Sequence, residues 1–118
     1  VCDDAAMRGS VRMLKWVREN NLDWSTDTCY YAAANGHLPA LKYLHENGCP
    51  WDSSTCYYAA KNGHLFVLQY LHENGCPWDS STCYYAAVCK HWDCLQYAVD
   101  NKCSGWKRFA EKYAKHLR

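Results

Sequence analysis

Residues 55–81 read TCYYAAKNGHLFVLQYLHENGCPWDSS, and residues 28–54 repeat that string with departures at four of 27 positions. A further step of 27 back aligns Cys2, Ala5, Ala6, Gly9, Leu14, Glu19, Asn20 and Trp24 with Cys29, Ala32, Ala33, Gly36, Leu41, Glu46, Asn47 and Trp51. A step forward brings residues 82–87, His91, Leu95, Tyr97, Asn101 and Cys103 into the same register. Self-similarity at a fixed period of this size is the signature of a solenoid, in which each unit buries its apolar face against its neighbours. The expected fold is an all-α, helix-turn-helix repeat solenoid of four repeats and a C-terminal capping helix, divided as 1–27, 28–54, 55–81, 82–105 and 106–118.

Each repeat contains two helical segments. Cys56, Ala59, Ala60 and Gly63 lie at i, i+3, i+4 and i+7, so a first, inner helix presents a face of very small side chains that lets its axis approach a neighbour closely. The acids and hydroxyls of DSST before it can accept from the free N–H groups of its first turn, and Asn62-Gly63 ends it. A second helix from about His64 to Asn74 carries Leu65, Val67, Leu68, Tyr70 and Leu71 over more than half its circumference, with Phe66, Gln69 and Glu73 outward. Gly75 and Pro77 stop it. Helices of about ten residues are marginal alone, so stacking is obligatory. Trp24, Trp51 and Trp78 recur in the connection and are expected to be buried as plugs between successive helix pairs. In the tail, Trp106, Phe109, Ala110, Tyr113, Ala114 and Leu117 form one apolar stripe of a capping helix.

These residues resemble the ankyrin repeat: Thr55, Ala59-Ala60, Asn62-Gly63-His64-Leu65, Leu68, Leu71 and Gly75 match its Thr, Ala-Ala, Asn-Gly-His-Leu, core leucines and terminal Gly. The period of 27 is shorter than the family's roughly 33, Cys56 stands where the motif has Pro, and Cys-Pro-Trp-Asp-Ser-Ser is too short for the usual projecting β-hairpin. The pattern is most similar to short ankyrin-like arrays with a Cys-Pro-Trp-Asp signature in large DNA viruses and protists. The resemblance implies a scaffold that binds another protein, here through its inner helices.

The surface that could do so is made of tyrosine. Opposite the small-residue face the inner helices present Tyr57, Tyr58, Lys61 and Asn62, with Tyr30 and Tyr31 before them and Tyr84 and Tyr85 after. Stacking turns these into parallel ladders, and exposed tyrosine is amphipathic and costs little conformational entropy on binding. One tyrosine of each pair packing between repeats is the alternative. The rival reading is nucleic-acid binding. Net charge is only +1, but residues 102–118 hold six Lys or Arg against one acid, including Lys107, Arg108, Lys112, Lys115 and Arg118, and the rings could stack bases.

Nine cysteines would suggest disulfides in a small secreted chain, but the number is odd and most fall at repeat positions: Cys2, Cys29, Cys56 and Cys83 in one series, Cys49, Cys76 and Cys103 in another. Such thiols read as packing residues in a reducing, intracellular compartment, cytoplasm or nucleus. The recurring His and Cys lack the tight paired spacing of zinc sites, so no metal or other cofactor is expected. His37 and His64 read as structural residues that start the second helix. No phosphate loop, nucleophile elbow or unrepeated carboxylate pair is present, so neither catalysis nor a small-molecule substrate is expected. No apolar run approaches the roughly 18 residues of a membrane span, the first residues carry acids rather than a signal peptide's bases, and a start inside a repeat suggests a fragment.

Overall fold

The computed structural model describes residues 2–118, which fold into an elongated array of 50 × 21 × 16 Å. Its elements are α1 (Cys2–Arg8), α2 (Val11–Glu19), α3 (Thr26–Ala34), α4 (Leu38–Glu46), α5 (Ser53–Lys61), α6 (Leu65–Glu73), α7 (Ser80–Val88), α8 (Trp92–Asp100) and α9 (Trp106–Lys112), then a 3₁₀ turn at Ala114–His116. From α3 onward each helix pair begins 27 residues after the last, so the sequence period is the structural period. Helices α1, α3, α5 and α7 form one row, each packed on the next, and α2, α4, α6 and α8 form the second. No strand occurs among the described residues.

The small-residue face explains the close inner row. Ala5-Ala6, Ala32-Ala33, Ala59-Ala60 and Ala86-Ala87 are all buried, with Cys29, Cys56 and Cys83 beside them. The outer row contributes Leu14, Leu41, Leu68 and Leu95 and the next-turn residues Val17, Leu44, Leu71 and Ala98, all fully enclosed. A buried Leu of this kind stabilises by about 1.5–3 kcal/mol, and all of these but Val17 form one continuous core along the array.

Helix ends follow local chemistry. Asp52 and Asp79 are the N-caps of α5 and α7 and accept from Ser54 N (3.0 Å) and Ser81 N (2.9 Å). In the same turn Thr28 Oγ1 accepts from Ser25 N at 3.1 Å and donates to Asp3 Oδ1 at 3.1 Å, linking the first two repeats. The second helices are one residue shorter at each end than the apolar pattern suggested: His64 is the N-cap of α6 and Asn74 its C-cap.

The histidines hold the repeats in register. Gly9, Gly36 and Gly63 have φ of +72°, +74° and +75°, and a Cβ on any of them would lie 2.5 or 2.6 Å from the ring of His37, His64 or His91 in the following repeat. His37 Nε2 is 2.9 Å from the Met7 carbonyl oxygen across the same junction. The corresponding residue of the fourth repeat is Lys90, with φ +62°. A side chain is tolerated there because no further histidine follows to occupy its space.

The tail departs from the single stripe. Helix α9 stops at Lys112, and the chain turns back along α8: His116 stacks on Trp92 at 4.0 Å, and Arg118 N donates to Gln96 Oε1 at 2.8 Å. Phe109 is buried, whereas Ala114, in the 3₁₀ turn, is exposed.

Candidate functional site

The second turns of α3, α5 and α7 carry the paired tyrosines, and their rings meet across repeats. Tyr30 packs edge-on against Tyr58 with centroids 4.5 Å apart. Tyr57 stacks on Tyr85 at 5.0 Å and on Tyr58 at 4.5 Å, while Tyr84 meets Tyr85 edge-on at 5.2 Å and Tyr30 meets Tyr31 at 4.6 Å. The six rings therefore form one connected band, in which the first tyrosine of a repeat touches the second tyrosine of the next. The arrangement leaves Tyr84, which has no following partner, 51% exposed, and the other five half-buried.

Crowding of hydroxyls perturbs the band. Burial and the neighbouring Tyr58 and Tyr31 push the Tyr30 hydroxyl up. Hydrogen bonding to Tyr58, with burial and the adjacent tyrosines, pushes Tyr57 up to about 12. Both stay neutral at physiological pH, so the surface offers hydroxyl donors and acceptors without negative charge.

Lys61 sits over the band: its Nζ lies 5.7 Å from the Tyr58 ring centroid and 5.2 Å from that of Tyr85, inside the range of cation–π attraction. Asn62 is exposed, but its Nδ2 donates to the Ala34 carbonyl at 3.0 Å, so its amide group ties α5 to the preceding repeat. The residues named from sequence, Tyr30, Tyr31, Tyr57, Tyr58, Lys61, Asn62, Tyr84 and Tyr85, thus lie on one side of the inner row. Val88 (52% exposed), which the register also puts at the position of Lys61, lengthens the strip in repeat four. One apolar neighbour was missed: Met7 (45% exposed) holds the same register position in repeat one. The 27-residue register was the signal that could have found it.

The second row carries a different aromatic device, which corrects the expectation of buried tryptophan plugs. Trp51 and Trp78 are half-buried, and each lies flat on a histidine of its own repeat, His45 and His72, at 3.9 Å. Tyr70 and Tyr97 of the following repeats close the edges at 6.3 and 6.0 Å. In the first repeat Arg18 replaces the histidine, its guanidinium carbon 5.9 Å from the Trp24 ring, and Tyr43 supplies the edge at 6.2 Å. The tryptophans are too wide for the gap that the alanine pairs leave between inner helices, so they cover the outer seam instead of filling an interior space.

At the C-terminus the basic residues are partly engaged. Arg118 pairs with Asp100 at 3.2 Å, and Lys107, Arg108 and Lys112 lie over Trp106, Phe109 and Tyr113 at 5.8, 5.1 and 5.6 Å. Lys115 is exposed. Among the described residues no helix is long and apolar enough to cross a membrane, and no three His, Cys, Asp or Glu side chains converge as metal ligands would.

Comparison with known proteins agrees with this architecture. Residues 29–109 match the family described as ankyrin repeats (3 copies), and residues 2–45 match ankyrin repeats (many copies). No curated protein matches the sequence. Among solved structures, the human ASB11 ankyrin repeat domain superposes with a TM-score of 0.75 at 20% identity. That match covers 85% of this chain and 53% of the human one, so this chain spans about half the length of that domain. Ankyrin repeats are in general modules for protein–protein interaction. On the match over residues 29–109 and the 27-residue helix pairs, the chain belongs to the ankyrin repeat family.

Proposed function

We propose that this chain is a protein-binding module without chemistry of its own, and that it engages another protein through the inner-helix band from Tyr30 to Tyr85. The observation that carries this reading is the continuity of the band: rings of three repeats touch across two junctions and remain partly exposed, with Lys61 at the centre. Partly exposed tyrosine beside a single cation is the composition enriched where proteins bind proteins. With the connecting loops this short, the inner helices are the surface that remains for a partner. We read the chain as four repeats, 1–27, 28–54, 55–81 and 82–105, capped by 106–118, working in a reducing intracellular compartment and kin to short viral and protist arrays. No membrane, small-molecule substrate or cofactor enters this account.

The nucleic-acid alternative rests on the basic tail, and the pairing of Arg118 with Asp100 and the laying of three other cations over rings weigh against it. The test is capture of a partner from the native cell with the wild-type chain, followed by titration of the purified partner against Tyr58→Ala with Tyr85→Ala and, separately, Lys112→Glu with Lys115→Glu. Loss of affinity in the first variant and retention in the second supports the proposal. The reverse pattern, with steep salt dependence, would support polyanion binding.

A further inference from the structure

The nine cysteines divide into six that are paired in space and three that are not. Cys29 Sγ lies 3.9 Å from the carbonyl oxygen of Cys49, and Cys56 Sγ lies 4.0 Å from that of Cys76. The second sulfur of each pair points back toward the N-cap of the inner helix: Cys49 to Ser25 O at 3.4 Å, Cys76 to Asp52 O at 3.4 Å and Cys103 to Asp79 O at 3.0 Å. The 27-residue register puts Cys83 and Cys103 at the same two places, and within each pair the neighbouring thiol and burial push one sulfur up, Cys29, Cys76 and Cys83. All six are at most 4% exposed. The first repeat provides an internal contrast, because Cys2 begins its α1 but Leu22 stands at the position of Cys49. Cys89 and Cys94 have no cysteine one repeat away. Packing alone asks for a small apolar residue at each place, and gives no reason for two thiols to meet in three consecutive repeats.

We propose that Cys29/Cys49, Cys56/Cys76 and Cys83/Cys103 are three dithiol modification sites, each closing to a disulfide within its own repeat by exchange with a small-molecule disulfide such as glutathione disulfide. One thiolate attacks the reagent and releases one molecule of reduced thiol. The partner thiolate then attacks the mixed disulfide and releases the second. The protein loses two hydrogens and two electrons, and the reagent gains them as two thiols. Because the sulfurs are enclosed, exchange passes through local opening of a repeat and is slow in the native state. Each bridge joins the first turn of an inner helix to the third residue past the outer helix, so oxidation locks single repeats without linking neighbours.

The whole chain is incubated in glutathione redox buffer both as the native protein and during refolding from the reduced, denatured state, then alkylated and mapped by mass spectrometry. The expected result is three linked peptide pairs, 29–49, 56–76 and 83–103, with Cys2, Cys89 and Cys94 unbridged. Each bridge should lower the unfolding equilibrium constant by about a hundredfold, and Cys76→Ser should delete only the 56–76 link. Bridges between repeats, or all nine thiols alkylated after refolding in the oxidising buffer, would overturn the proposal.

Discussion

Tyr57 and Tyr85 stack with centroids 5.0 Å apart and planes 21° from parallel, although they belong to successive repeats. The contact makes the inner-helix surface a property of the array, since no single repeat contains it. It also crowds phenol groups together around Tyr57, which is visible in titration.

Tyr57 is held up at about 12 from an ordinary 10.0, first by hydrogen bonding to Tyr58 and then by burial and the neighbouring rings. The folded state therefore keeps a proton that the unfolded chain has lost, and the stability it contributes is full below pH 10 and is lost as pH rises from about 10 toward about 12. Tyrosinate absorbance should show a late step near the upper value that disappears in Tyr57→Phe. A native titration in which every tyrosine ionises together near pH 10 would contradict this geometry.

Two glycines with similar backbone angles should respond differently to alanine. Gly36 and Gly48 have φ of +74° and +82°, but only at Gly36 would the new methyl meet the His64 ring, at 2.6 Å. Gly48→Ala should cost the left-handed penalty of about 1–2 kcal/mol, whereas Gly36→Ala should cost about 1–3 kcal/mol more through the displaced ring. Conversely Lys90→Gly, at φ +62° with no histidine beyond it, should stabilise by about 1 kcal/mol. Equal losses for the two alanine variants in urea melts would remove the histidine interlock from the account.

The repeat threonines separate in the same way. Thr28, Thr55 and Thr82 are all fully buried, yet only the Thr82 hydroxyl lacks a hydrogen-bond partner. Thr28→Val should destabilise by about 1–2 kcal/mol, because it leaves Ser25 N and Asp3 without their bonds. Thr82→Val should be neutral or slightly stabilising. A larger loss at Thr82 than at Thr28 would be the contrary result.

Much of this was written in the period. The spacing of Ala59, Ala60, Leu68 and Leu71 set the helices, their inner and outer rows and the core, and it put Tyr57, Tyr58, Lys61 and Asn62 on one side. What it could not show is which atoms meet when one repeat lies on the next. His64 reads as the start of a helix, and its ring against Gly36 exists only after stacking. The pattern marked Trp78 as a large apolar side chain in a connection, but not the His72 ring it lies flat on while staying half-buried. The tail was legible as amphipathic, yet the stacking of His116 on Trp92 and the bond from Arg118 N to Gln96 end the helix early.

The half-exposed tryptophan has a measurable consequence. Trp78→Ala should destabilise by about 2–3 kcal/mol, below the roughly 3–5 kcal/mol of a fully enclosed ring, and His72→Ala by about 1 kcal/mol through loss of the stack. A loss at Trp78 at or above the upper range would return that ring to the interior.

The most direct measurement of the central claim is the dissociation constant of the captured partner for the chain carrying Tyr58→Ala with Tyr85→Ala, after circular dichroism and urea melts have shown the repeat fold intact. Two rings at the centre of a protein-binding surface should together contribute at least about 2 kcal/mol, so the dissociation constant should rise by at least about 30-fold, while Lys112→Glu with Lys115→Glu should change it less than about threefold. Unaltered affinity in the folded double tyrosine variant would contradict the account.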